Sequence, residues 1–160
     1  MNQFDVISVG SAAIDTFVKS SSTDLKIRGR QVCLPIGGKI LLDELKNDVG
    51  GSGVNTSISF SRLGLRSAFV GKLGRDHSAG LIKQRFKKEK VSIWETSPQG
   101  NTGQSIILSG LKNDRVILTY KGSNDLLRTS DIPWKKLSTK WIYLGTLMKR
   151  SWEAEIAVAK

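Results

Sequence analysis

Residues 50–74 read GGSGVNTSISFSRLGLRSAFVGKLG, and this stretch carries the reading of the fold. Gly50, Gly51 and Gly53 crowd a short loop with residues that have no Cβ, so the hydroxyls of a small ligand can approach the backbone there. Val54 to Leu63 then reads as a helix, and Gly64 can end it in a left-handed conformation and turn the chain back. Asn55, at the start of that helix, offers both an acceptor and donors, which suits a polyhydroxylated molecule. Ser67 to Val70 is apolar enough for a buried strand. The bland alternative is a glycine-rich strand-to-helix turn with no ligand.

Upstream, Phe4 to Val9 is a short apolar run closed by Gly10, which predicts another buried strand. Asp15 follows it. A carboxylate accepts hydrogen bonds from two neighbouring hydroxyls, and ligands of open α/β sheets gather at the carboxyl ends of strands; as a plain turn former Asp15 would need no ligand. Between there and Asp48, the runs Thr16–Val18, Val32–Leu34 and Ile40–Leu42 are strand-like and separated by polar turns. Downstream, Asp76 can cap a helix to about Lys90, with Ile82 and Phe86 on its core face. Gln104–Leu108 and Arg115–Tyr120 predict a hairpin around the polar turn Leu111–Asp114. Trp141–Leu144 reads as a further strand, and Ser151 as the cap of a helix carrying Trp152, Ile156 and Ala159 on one face. Strands alternating with helices predict an α/β domain with a parallel sheet. Two hairpin-like insertions, roughly 16–48 and 102–121, interrupt the alternation and can pair as a small separate sheet.

Composition narrows the function classes. The 160 residues are one domain's worth of chain, and no apolar run approaches the ~18 residues of a membrane span. The start, MNQFDVISVG, lacks a basic leader and places Asp5 within its apolar run, so it does not read as a signal peptide. One cysteine, Cys33, excludes an internal disulfide and a cysteine-rich zinc site, and a cytoplasmic location is expected. The net charge is +11, densest in Lys83–Lys90, where the basic residues suit the solvated face of a helix better than a nucleic-acid surface, since no recognition motif accompanies them. His77 is the only histidine and reads as an ordinary first-turn residue; Trp94, Trp134, Trp141 and Trp152 share no periodic face and read as core and rim packing. Val54 after Gly53 rules out a Walker A lysine, and Ser11-Ala12-Ala13 after Gly10 rules out a dinucleotide fingerprint.

The arrangement Gly50-Gly51-x-Gly53-x-Asn55-x-Ser57, with Gly64 and Gly74 at fixed distances beyond, resembles the first signature of the ribokinase-like (PfkB) carbohydrate kinases. Val9–Asp15 resembles the family's first strand with its sugar-binding aspartate. Thr102-Gly103 resembles its lid strand, and Lys121–Asn124 the return from the lid. The resemblance covers nearly the whole chain and implies the N-terminal part of such a kinase domain, spanning 1–160: a ribokinase-like parallel sheet with flanking helices, incomplete, plus a small β lid formed by the two insertions. It implies ATP-dependent phosphorylation of a sugar or nucleoside hydroxyl, with Asp15, Gly50, Gly51, Asn55 and, in the lid, Gln104 contacting the substrate. ATP and magnesium belong to the implied chemistry. The family's second signature, Asp-Thr-x-Gly-Ala-Gly-Asp, which supplies the catalytic base and the phosphate-cradling turn, does not occur here, so no catalytic residue is assigned and the chain alone is expected to be inactive. A non-catalytic sugar-binding module, or one subunit of a split kinase joined by a C-terminal-half polypeptide or by its own copies, is the alternative.

Overall fold

In the computed structural model, which describes residues 4–111 and 114–160 but not the side chains at 95, 110 and 111, the apolar run Phe4–Val9 forms β1. After it come β2 (Ala13–Lys19), the short β3 (Lys26–Arg28) and β4 (Gln31–Cys33), β5 (Glu44–Gly50) and α1 (Ser52–Arg62). Next are β6 (Ser67–Gly71), α2 (His77–Lys88), β7 (Ser92–Glu95) and the antiparallel pair β8 (Gly103–Leu111) and β9 (Asp114–Tyr120). Short 3-10 turns then lead to β10 (Thr139–Leu144) and α3 (Arg150–Ala159). The α/β class with a parallel sheet and flanking helices is what forms.

β10, β1, β6 and β7 lie side by side in that order, all parallel, so the two apolar runs singled out in the sequence are the inner strands. Strands buried on both faces need apolar residues throughout, which is why these runs do not alternate. On one face, Val54 and Ile58 of α1 and Ile82 and Phe86 of α2 close over Phe69 of β6; the Phe69 and Phe86 ring centroids are 5.0 Å apart. On the other, Ile7, Val9, Ala68 and Val70 pack against Leu127, Ile132, Leu147 and Ala154. A buried cation lies at the end of this sheet: Lys72, just past β6, reaches Asp131 at 2.7 Å.

A second sheet has the order β5-β2-β8-β9 and draws its strands from both interruptions of the α/β pattern. β2 and β8 join them in parallel, with Asp15 opposite Ser105. This sheet meets the first where Ala12 and Thr102 leave it. Both crossing points are pinned by side chains. The Asn124 carboxamide donates to Ala12 O and accepts from Ala12 N, each at 2.8 Å. The Asp76 carboxylate accepts from Thr102 N at 2.7 Å and Thr102 Oγ1 at 2.6 Å, while also capping α2 through Ala79 N at 3.0 Å.

Local signals behave as their chemistry dictates at the helix ends. Gly64 has φ +86°, and its N–H bonds to Ser61 O while Leu65 N bonds to Phe60 O, the paired closure of a left-handed helix terminus. Three expectations are corrected. Ile40–Leu42 is not a strand; the strand begins at Glu44 and runs into Gly50, because the partner it follows in register is β2. Ser151 does not cap α3: its hydroxyl accepts from Leu127 N at 3.0 Å, and the buried face is Ser151, Ala154 and Glu155, of which Ser151 and Ala154 are small enough for the 122–131 segment to approach, while Trp152 and Ile156 point outward. Of the tryptophans, Trp94 packs edge-on against Phe4, whereas Trp134, Trp141 and Trp152 are exposed. Of the turn predicted at Leu111–Asp114, residues 112 and 113 lie outside the described residues.

Candidate functional site

Where the second sheet rises from the first, a cavity of about 210 Å³ opens beside the N-terminus of α1. Strand alternation builds it. Asp15 of β2, Ser105 and Ile107 of β8, and Ile117 and Thr119 of β9 project from one face of the second sheet, and Ser11 and Gly51 close the base. The wall is thus half apolar and half hydroxyl-bearing, with one carboxylate. That carboxylate has no hydrogen-bond or ion-pair partner among the described residues, so both of its oxygens are free to accept from a ligand.

The glycines act differently from the expectation of bare backbone offered to ligand. A Cβ on Gly50 would lie 2.0 Å from Asp15 Oδ2, so the space left by the missing side chain is where the Asp15 carboxylate sits. Gly51, at φ +98°, would bring a Cβ 2.5 Å from Ser11 O. Gly53 would clash with Gly10 and the Phe69 ring. The glycine loop therefore lets three chain segments touch, and in doing so it fixes Asp15. Gly51 lacks a capping side chain, and Ser11, forty-one positions upstream of Ser52, takes over. Its Oγ accepts from Ser52 N at 3.0 Å, and its carbonyl from Gly53 N at 3.0 Å and Val54 N at 3.3 Å. Ser52 returns the contact, its Oγ lying 3.0 Å from Ser11 Oγ and accepting from Thr146 N at 3.1 Å, beyond β10. The first N–H groups of α1 are consequently spent within the protein.

The predicted site residues divide. Asp15 and Gly51 line the cavity, and Gly50 lies directly behind Asp15. Asn55 is exposed on the first turn of α1, outside the cavity lining. Gln104 does not enter the cavity: it sits opposite Ile14, one step out of phase with Asp15 and Ser105, and its amide lies 3.4 Å from Ser78 Oγ of α2. Counting by two from Asp15 across the parallel register would have selected Ser105 in its place. Ser11, Ser105, Thr119 and Lys121 were not predicted to line the site; only the pairing of β2 with β8 brings them together.

A larger cleft of about 290 Å³ runs between β5 and α2. Arg85 and Asp48 within it pair at 2.7 Å, and Lys88 is a further cation on its wall. Asp76 at the crossing point is held below the usual carboxylate range. Burial pushes it up, but the hydrogen bonds from Thr102 and Ala79 outweigh that. Among the described residues no three His, Cys, Asp or Glu side chains cluster as metal ligands, and no helix is long and apolar enough to cross a membrane.

The sequence profile described as pfkB family carbohydrate kinase matches residues 3–158. The chain is 26% identical over 117 residues to a bifunctional ribokinase/ribose-5-phosphate isomerase A of Fructilactobacillus sanfranciscensis, covering 72% of this chain and 22% of that one. It is 30% identical over 110 residues to a 5-dehydro-2-deoxygluconokinase of Clostridium perfringens, covering 67% of this chain and 27% of the relative. The crystal structure of a ribokinase from Cryptococcus neoformans in complex with ADP superposes with a TM-score of 0.67 at 20% identity, covering 88% of this chain and 41% of that one. The chain thus spans under a third of the length of these two curated relatives.

Proposed function

Because the chain belongs to the pfkB family of carbohydrate kinases, we propose that it serves ATP-dependent phosphorylation of a sugar or nucleoside hydroxyl and supplies the substrate-binding part of that site. One observation carries this reading: the Asp15 carboxylate, without a partner among the described residues, stands in a hydroxyl-lined cavity at the carboxyl end of the parallel sheet, and the family's glycine signature makes room for it there. Two neighbouring hydroxyls of a sugar satisfy the two carboxylate oxygens, and the Ile107–Ile117 wall suits the apolar face of a ring. In this reading the second sheet is a lid over the substrate, built from the insertions near 16–48 and 102–121. Gly51 and Ser11 form the floor; Asn55 joins the site only if closure brings substrate to the first turn of α1.

ATP and magnesium enter through the family, and no residue of this chain is assigned to hold them. The segment expected to supply the catalytic base and to cradle the transferred phosphoryl group has no counterpart in the sequence, so the 160-residue chain by itself is proposed not to turn over. A second reading, which the Asp15 cavity supports equally, is a non-catalytic sugar-binding module or one subunit of a split kinase. The proposed partner is then a polypeptide carrying the remainder of a kinase domain, or a second copy of the chain; a cytoplasmic setting fits either.

Calorimetric titration with ribose, fructose and adenosine tests the site. At least one should bind, and Asp15→Asn should weaken it by about 1–3 kcal/mol, the worth of buried hydrogen bonds to a charged acceptor. Equal binding by wild type and variant would remove Asp15 from the site. Sugar-dependent ATP consumption by the purified chain would refute the expectation of inactivity, since loss of a general base alone costs about 10²–10⁴-fold.

A further inference from the structure

We infer that the sugar received by this cavity carries an anionic group, a carboxylate or a phosphate, and that Lys121 recognises it; the inference rests on the sugar-binding reading above and narrows its substrate class. Ile117, Thr119 and, one step past β9, Lys121 share one phase of the strand and line the cavity, joined at its end by Tyr120. The Lys121 backbone is fixed, its carbonyl accepting from Asn124 N at 3.1 Å and from Asn124 Nδ2 at 2.9 Å. Its ammonium makes no ion pair among the described residues, whereas Lys72 and Lys149 near the same junction are matched to Asp131 and Asp125. A half-buried, uncompensated cation in a cavity favours a ligand that brings the counter-charge.

Asp15 is the only other charged side chain in the lining among the described residues. It would repel an anion set beside it, so the two charges also fix the orientation. From the register, Asp15 is opposite Ser105 and Ser105 opposite Thr119, which places Lys121 two strand spacings across, ~10 Å, and one two-residue step along, ~7 Å, by ordinary sheet dimensions. The substrate therefore lies with neighbouring hydroxyls on Asp15 and its anionic end toward Lys121, and Ser105 and Thr119 between them provide neutral hydrogen-bonding groups. A neutral sugar would leave Lys121 unanswered.

The test is titration of the chain with ribose, gluconate and ribose 5-phosphate, at low and at high ionic strength, for wild type, Lys121→Met and Lys121→Arg. At least one anion should bind about tenfold or more tighter than ribose. That preference should shrink with added salt, collapse in Lys121→Met and survive in Lys121→Arg, with thermal melting of both variants confirming that they fold. Whether gluconate or ribose 5-phosphate gains more identifies the anion as carboxylate or phosphate. Ribose binding as well as both anions, or an anion preference that persists in Lys121→Met, overturns this inference and leaves the sugar-binding reading standing. Binding of none of the three overturns both.

Discussion

At the scale of single residues, the chain places several polar groups where they have to be justified, and each justification is measurable. Glu155 is buried on the inner face of α3, one of its carboxylate oxygens has no hydrogen-bond partner among the described residues, and burial pushes the group above the usual carboxylate range. A carboxyl with a raised folded-state pKa binds its proton more tightly folded than unfolded. Its unfavourable contribution therefore grows as pH rises from the unfolded value near ~4.3, and levels off above the folded value. Glu155→Gln should raise the melting temperature at neutral pH, and the two melting curves should converge at about pH 4. A variant less stable than wild type at pH 7 would mean that the ionised carboxylate has a favourable partner. At the cavity, Asp15 and Gly50 form one device: the residue with no Cβ makes room for the carboxylate. Gly50→Ala would displace Asp15, and loss of ligand binding without loss of fold is its expected signature.

Among the elements, α2 does more than cover the sheet. Its cap, Asp76, is also the clamp at the base of β8, so helix and second sheet share one carboxylate. Asp76→Ala should destabilise the fold by about 1–3 kcal/mol, from a lost cap and from the Thr102 N–H left without its acceptor. Asp76 titrates below its ordinary value, so the stability it contributes is complete above the unfolded carboxylate pKa and is lost as pH falls through the lower folded value. Denaturant melts of wild type and Asp76→Asn compared from neutral to acid pH check this: the wild-type advantage should fade only at the acid end. An advantage that does not change with pH would separate the cap from the charge.

For the whole molecule, the open side is the decisive feature. β10 is an outer strand of the parallel sheet, Trp141 on it is 74% exposed, and Trp152 and Ile156 stand outward on α3. An apolar outer strand with unpaired backbone groups templates association. The +11 charge opposes this, but its reach at physiological salt is only ~8 Å. The chain should therefore self-associate in a concentration-dependent way in light scattering, and Trp141→Lys should reduce it. Co-expression with the proposed partner polypeptide should raise solubility. A monodisperse monomer across concentrations would refute the expectation and favour a self-sufficient binding module.

Some of this protein was written in local chemistry alone. The two buried strands, the Gly64 turn and the Asp76 cap depend on neighbours within a few positions, and a sequence read in order contains that information. The family signature is equally local, running from Gly50 to Gly74. What faces the cavity is a different matter. Gln104 and Ser105 are adjacent, and the choice between them is a one-residue phase set by the pairing of β8 with β2, ninety positions away at Asp15 and Ser105. Likewise, Trp152 and Ile156 make as good an apolar stripe as any core helix, yet α3 turns Ser151, Ala154 and Glu155 inward, where the 122–131 segment lies close against it. Periodicity tells which residues share a face. Only the tertiary contacts decide which face is buried and which phase lines the cavity, because those depend on surfaces that distant parts of the chain bring.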